Sequence, residues 1–219
     1  MLKKILILGA TGRTGQNAIT LALEAGYSIT ALVRNPDKIK IKADRLTVLK
    51  GLPTNIDDLR IAMKDCEAVI SLLSALSEKE SFSLKKLNAP HTLKRSISNT
   101  IQVMREYGTR RILILSSVGA GNSFKYAPWF MKLIIRLTNF KIVFADHTAQ
   151  ENLIQNSGLD WTIARPVGLN ENETIGMLVV NYDKTPKPFK MSRKQLAKFF
   201  IENIDAETYI HKTPILSEI

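Results

Sequence analysis

Apolar runs rich in Ile, Val and Leu recur along the chain and alternate with longer amphipathic stretches. Runs without polar alternation are buried on both faces, the mark of parallel strands covered by helices. This pattern predicts strands at 4–9, 28–34, 46–49, 67–73, 111–116 and 161–165. Helices are predicted at about 13–26, 56–65, 88–107 and 146–157, with a terminal helix near 193–204. Gly26, Gly108 and Gly158 close three of the helices, and Asn35-Pro36 ends the second strand. Right-handed crossovers wind such an order into an α/β, doubly wound parallel sheet with helices on both faces. No repeat, low-complexity segment or Pro/Ser-rich linker divides the chain. It therefore reads as a single domain, 1–219, with 166–219 forming a small C-terminal, substrate-side cap.

Composition fits this picture: 219 residues, 45% of them hydrophobic and 23% charged, are enough to bury a sizeable core. A lone cysteine, Cys66, excludes a disulfide scaffold and suits a reducing, cytoplasmic setting. Met1-Leu2-Lys3-Lys4 before Ile5 to Leu8 imitates a secretory start, but the run is short and leads into glycines, so it is read as a buried strand. No apolar run reaches the roughly 18 residues of a membrane span.

Charge changes the picture more. The net charge is +11, distributed as +6 over 1–50, +1 over 51–100, +5 over 101–150 and −1 over 151–219. Nucleic acid, a membrane surface or a phosphorylated small molecule are the partner classes this raises. Specific nucleic-acid binding is disfavoured, because no reader motif or basic-aromatic strand face is present.

The first strand runs straight into Gly9-Ala10-Thr11-Gly12-Arg13-Thr14-Gly15 and then into a helical pattern. Strand, glycine turn and helix form a diphosphate cradle, since glycines allow positive φ and close backbone approach while a helix N-terminus favours the anion. Thr11 and Thr14 add hydroxyl donors. The G-x-x-G-x-x-G spacing is one residue longer at its start than the simpler dinucleotide fingerprint, and a ligand-free glycine turn is the plain alternative. Arg34 ends the second strand about 20 residues on, where an acid selects NAD and an arginine accommodates the 2′-phosphate of NADP. Arg13 offers a second guanidinium, so the cofactor expected is NADP(H).

With Val33-Arg34-Asn35-Pro36, Arg111 to Gly119, Asp146-His147 through Glu151, Gly158 to Pro166 and Met191-Ser192-Arg193, the whole chain resembles a known family. This is the atypical short-chain dehydrogenase/reductase family with an NAD(P)H-binding domain, in its NmrA-like branch that includes flavin reductase/biliverdin reductase B. The resemblance implies a Rossmann-like fold. It also implies that Leu52 and Pro53 lie near the adenine, Leu73 and Ser74 near the nicotinamide ribose, and Pro166 and Val167 near the carboxamide. One departure stands out: the family has Gly-Asp after the third strand, whereas here Gly51-Leu52 leaves only backbone contacts.

The Tyr-x-x-x-Lys pair of ordinary short-chain dehydrogenases is missing from the expected region: Tyr126 is followed four residues on by Phe130, and Tyr107 by Arg111. Alcohol–ketone interconversion by that pair is therefore disfavoured. The catalytic candidates are Ser117, at the end of a buried strand, and His147, just inside a helix that Asp146 is expected to cap. Of the neighbouring serines, Ser117 is expected to face the site and Ser116 to bond backbone, near the cofactor. Glu151 one helical turn from His147 suggests a raised pKa and proton handling, while a surface histidine paired to a glutamate explains the same residues. No metal site is expected, since the three histidines and Cys66 lack ligand spacing. A hydrolase elbow and a Walker lysine-serine pair are absent too.

Segment 126–144 interleaves Trp129, Phe130, Met131, Leu133, Ile134, Leu137 and Phe140 with Lys132, Arg136 and Lys141. A lid over a flat substrate, a membrane-surface helix and plain core packing all suit it. Together these features predict an NADPH-dependent reductase passing hydride to a small planar acceptor (flavin, quinone or related carbonyl), monomeric or homodimeric. The rival is a nonenzymatic NADP(H)-binding redox sensor of the NmrA-like type.

Overall fold

The computed structural model describes residues 3–74 and 91–219. The first strand, β1 (Lys4–Leu8), is buried along nearly its whole length and hands its residues alternately to two cores. Ile5 and Ile7 join one cluster, Leu6 and Leu8 the other. That division follows from the pleat, which sends successive side chains to opposite faces.

Helix α1 (Arg13–Glu24) leads to β2 (Ser28–Val33); two residues beyond it, the Asn35 side chain accepts from the Asp37 amide. Strand β3 (Leu46–Lys50), helix α2 (Ile56–Met63), capped by Asn55, and β4 (Ala68–Ser71) follow. Beyond them come α3 (Thr92–Tyr107) and β5 (Arg111–Leu115), then α4 (Trp129–Leu137), α5 (Phe140–Gln155) and β6 (Asp160–Pro166). The chain closes with β7 (Leu169–Asn170), β8 (Leu178–Asn181), β9 (Met191–Ser192), α6 (Arg193–Glu202) and β10 (Ile215–Glu218).

The main sheet has the order β3-β2-β1-β4-β5-β6-β10-β8, parallel throughout except for β8 at one edge. Strand order reverses between β1 and β4, so the crevice outside their carboxyl ends is the place for a ligand. Helices α1 and α6 pack together over the core that holds Ile19, Phe199, Phe200 and Leu216, and α2, α3 and α5 cover the opposite face. This is the expected Rossmann-like, doubly wound sheet.

The six strands predicted from the pattern are present within two residues at each end. The helix predicted at 146–157 begins instead at Phe140, directly after α4, so 126–144 is largely helical. Residues 88–90 of the helix predicted at 88–107, and Met1 and Leu2, lie outside the described residues. Strands β8 (LVVN) and β10 (ILSE) lie outside the predicted set; each carries only two or three apolar residues, too short a run to stand out as the six predicted strands do. They extend the sheet beyond β6, and α6 joins its helix layer, so the stretch 166–219 contributes to the scaffold as well as to the loops near the strand ends.

Arg111 ties this last part to the sheet. Its guanidinium donates to the Asn203 and Ile204 carbonyls at the end of α6 (2.7 and 3.1 Å) and to the Asp160 carbonyl (2.8 Å). A cation there meets the negative end of the helix dipole and the carbonyls that have no intrahelical donor. Burial lowers its pKa to about 10, so it remains charged at neutral pH. Arg111→Met is expected to cost about 3 kcal/mol of unfolding free energy in a urea titration, and Arg111→Lys to recover only part, because a point charge does not reach all three carbonyls.

Candidate functional site

At the carboxyl ends of the strands lies a cleft of about 480 Å³. Gly12, Arg13, Thr14 and Gly15 form one end; Leu72, Leu73 and Ser74 after β4, Leu115 to Ser117 after β5 and Pro166 to Leu169 after β6 line its base. Met131 of α4 and Phe140, Val143, Phe144 and His147 of α5 make an apolar wall, and Arg193 completes the rim. A more open groove of about 820 Å³ between α3 and α5 includes Lys94, Gln102 and Asn152 but none of the strand-end residues. It is therefore separate from this chemistry.

The glycine turn is packed as tightly as the motif implies. Gly9 has φ +80°, and a side chain on it would run into the Leu72 carbonyl; one on Gly15 would run into the Gly9 carbonyl. At the start of α1, Gly12 occupies the N-cap and no side chain caps the helix. The first-turn amides of Arg13, Thr14 and Gly15 thus have no intrahelical acceptor, in residues that line the cleft. An uncapped helix end in a glycine cradle fits a diphosphate.

Gly9 and Thr11 belong to the same turn without lining the cleft, and Arg34, Leu52 and Pro53 lie outside it as well. Leu8 pairs with Leu32, so Arg34, exposed just past the end of β2, follows the strand that lies beside the one leading into the turn. Leu52 is exposed, and its amide donates to Asp58 Oδ2 at 2.8 Å. Arg13 is ion-paired with Glu171 (2.8 Å), which also takes Arg193 (2.7 Å). This acidic bridge between the turn and α6 had no motif to reveal it.

Behind the apolar wall, α5 carries a buried polar network. Arg165 meets Glu151 with two parallel bonds, Nη2 to Oε2 at 2.7 Å and Nε to Oε1 at 3.0 Å, and both side chains are almost fully buried. The expected backbone-bonded Ser116 instead donates to Glu151 Oε1 at 2.6 Å. Ser117 Oγ donates to the Val118 carbonyl at 3.3 Å and remains partly exposed at the cleft. Arg165 Nη1 reaches Asn122 Oδ1 at 2.7 Å.

Two expectations about His147 are corrected. Asp146 does not cap the helix of His147, because α5 starts six residues earlier; its carboxylate accepts from the Leu93 and Lys94 amides (2.9 and 3.1 Å) and caps α3. The His147 pKa is not raised but lowered to about 4, by burial that outweighs the pull of Glu151 and Asp146. Glu151 spends its bonds on Arg165 and Ser116, so it gives the imidazole no direct partner.

The partner of His147 is Gln150, a residue not singled out from sequence. Its Nε2 lies 2.8 Å from both the Leu115 carbonyl and His147 Nδ1. A carbonyl only accepts, so the Gln150 atom facing it is the NH₂ group, and Nδ1 beside the same group must be the acceptor. The neutral ring then carries its proton on Nε2. Gln150 stands one turn from His147 in the predicted helix as in the observed one, but its role depends on the Leu115 carbonyl, which only the fold brings beside it.

A family model described as NAD(P)H-binding matches residues 9–207. An uncharacterized chloroplastic protein of Arabidopsis thaliana is 26% identical over 208 residues, 91% of this chain and 71% of its own. Among solved structures, ChuY, an anaerobillin reductase of Escherichia coli O157:H7, superposes with a TM-score of 0.81 at 20% identity, covering 99% of this chain and 97% of its own. A short-chain dehydrogenase/reductase of Veillonella parvula in complex with NADP gives 0.72 at 19% identity, covering 100% and 95%. At such identities the two structures establish the shared fold.

Two outcomes test this network. Above pH 6.5 His147 is neutral folded or unfolded; as pH falls from 6.5 toward 4 only the unfolded chain takes up its proton, so stability must decline across that window. Thermal melting against pH is expected to show this decline, with a shallower slope in His147→Gln. Glu151→Gln leaves Arg165 buried without its counter-charge and is expected to cost about 3–5 kcal/mol in denaturant titration, whereas replacing both residues by Met costs less.

Proposed function

The chain belongs to the NAD(P)H-binding family, and from that premise we propose that it is an NADPH-dependent reductase acting on a small planar acceptor such as a flavin, quinone or related carbonyl. The observation that carries this reading is one cleft joining an uncapped glycine turn to an apolar wall with a neutral imidazole in it. When bound, the nicotinamide supplies the hydride.

In this reading Gly9, Thr11, Gly12, Arg13, Thr14 and Gly15 hold the diphosphate, and Arg34 takes the 2′-phosphate. Arg34 is the freer guanidinium for that task, being exposed, while Arg13 is bridged to Glu171. Leu52 offers an exposed apolar surface to the adenine in place of the family aspartate, beside Pro53. Leu73 and Ser74 flank the ribose, Pro166 and Val167 the carboxamide, and Ser116 acts through Glu151 rather than on the ligand. Met131, Phe140, Val143 and Phe144 exclude water from a flat acceptor.

Ser117 orients the acceptor, and His147 contributes a hydrogen bond from Nε2–H. Its low pKa keeps it from acting as a general acid at neutral pH, so the proton that completes reduction comes from solvent. One observation favours the rival sensor reading: the described cleft lining has no acidic, tyrosine, lysine or cysteine side chain. A cytoplasmic location accords with the free, buried Cys66.

NADPH is expected to bind on the order of 10- to 100-fold more tightly than NADH, a preference that Arg34→Ala removes; equal affinities in calorimetric titration refute it. With a panel of flavins and quinones, NADPH oxidation is expected with no inflection in kcat near pH 6.5. Intact cofactor binding without turnover for any acceptor selects the sensor.

A further inference from the structure

Helix α4 has two unlike sides. Met131 lines the cleft and Ile135 is buried in a small cluster with Ala120, Val143 and Phe144. On the other side Trp129 is 78% exposed, Leu133 49% and Leu137 63%, with Phe130 (43%) beside them. Trp129, Leu133 and Leu137 follow one another at four-residue steps, so they form a single stripe along the helix. Phe130 contacts Phe189 edge-on, which ties the stripe to the 182–190 segment.

The charge around the stripe has one sign. Lys125, Lys132, Arg136 and Lys141 flank it, and the sequence has no acidic residue between Glu106 and Asp146. Among the described residues none of the four is paired with a carboxylate. Lys132 and Arg136 lie over the Phe124 ring, each 5.9 Å from its centre, and Lys125 lies over Tyr126.

We infer that this face of α4 docks on an anionic bilayer surface, with Trp129, Leu133 and Leu137 entering the headgroup boundary and the four cations meeting lipid phosphates. Apolar and aromatic side chains on one face with lysine and arginine at its margin are what such an interface selects. A protein partner suits the face less well. Nine residues make a helix about 13 Å long, and one face of so short a helix covers only a small part of the 1,200–2,000 Å² that a stable protein interface typically needs. The inference rests on the surface alone and is independent of the reaction assigned to the cleft.

The test is flotation of the full chain with vesicles of phosphatidylglycerol and phosphatidylcholine, against phosphatidylcholine alone. Binding to the anionic vesicles is expected, with strong loss as salt rises from about 0.1 M to about 1 M and the screening length shrinks. Lys132→Gln with Arg136→Gln is expected to lower the partition coefficient on the order of 20-fold. The triple change Trp129→Ser, Leu133→Ser, Leu137→Ser is expected to abolish it without moving the melting temperature. Trp161 is buried, so a blue shift of emission on binding reports Trp129. No binding to anionic vesicles, binding that the triple change leaves intact, or a concentration-dependent dimer that the triple change dissolves in the absence of vesicle binding overturns the inference.

Discussion

The cleft side of this molecule depends on one buried ion pair. Glu151 and Arg165 join α5 to the end of β6, and Ser116, through Glu151, adds the end of β5 to the same knot. Two nearly buried charges repay their lost hydration only when geometry and further hydrogen bonds are good. Here both carboxylate oxygens accept two-pronged from the guanidinium, and Asn122 takes one of its remaining donors. Because α5 is rigid from Glu151 back to Phe140, fixing Glu151 also fixes His147 one turn earlier and the aromatic wall beyond it. A binding site on a helix clamped to two strand ends keeps its geometry better than one on loops.

The same clamp explains the electrostatics of the cleft. A carboxylate one turn from a histidine ordinarily supports the charged ring, and read from sequence it promised a proton donor. In the folded chain Glu151 is bound to Arg165 and Asp146 to the α3 amides, and their pull on the histidine is too weak to offset its lost water. Burial then dominates and holds the ring neutral. Gln150, itself oriented by the Leu115 carbonyl, decides which nitrogen keeps the hydrogen. The site therefore offers a hydrogen-bond donor and an apolar surface, a combination suited to positioning an acceptor.

Legibility in the sequence followed the strength of local signals. Five of the six predicted strands lie inside the sheet and are mostly buried, β3 standing at its edge, and the glycine turn after β1 has a steric reason at Gly9 and Gly15. Strands β8 and β10 are short and owe their existence to pairing with distant segments, so nothing local announces them. The start of α5 was missed because Asp146 looks like an N-cap, and its capping is real but serves another helix. Glu171 as the link between Arg13 and Arg193, and the Leu115 carbonyl as the group that orients Gln150, required knowing which distant segments meet.

The excess of positive charge divides by what each cation touches. Arg111 and Arg165 are internal: one closes a helix end, the other balances a buried carboxylate, and neither is available to a ligand. Arg13 and Arg193 share one glutamate, whereas Arg34, just past the end of β2, is exposed. The cations around α4 have no carboxylate partner among the described residues, although Lys132 donates to the Lys125 carbonyl at 3.0 Å, and they surround apolar side chains that folding did not bury. Burying Trp129, Leu133 and Leu137 against the protein would require α4 to turn its Met131 side away from the cleft. The helix therefore has one face committed to the cleft and a second left outside, and that outer face is where aromatic area and unpaired positive charge coincide.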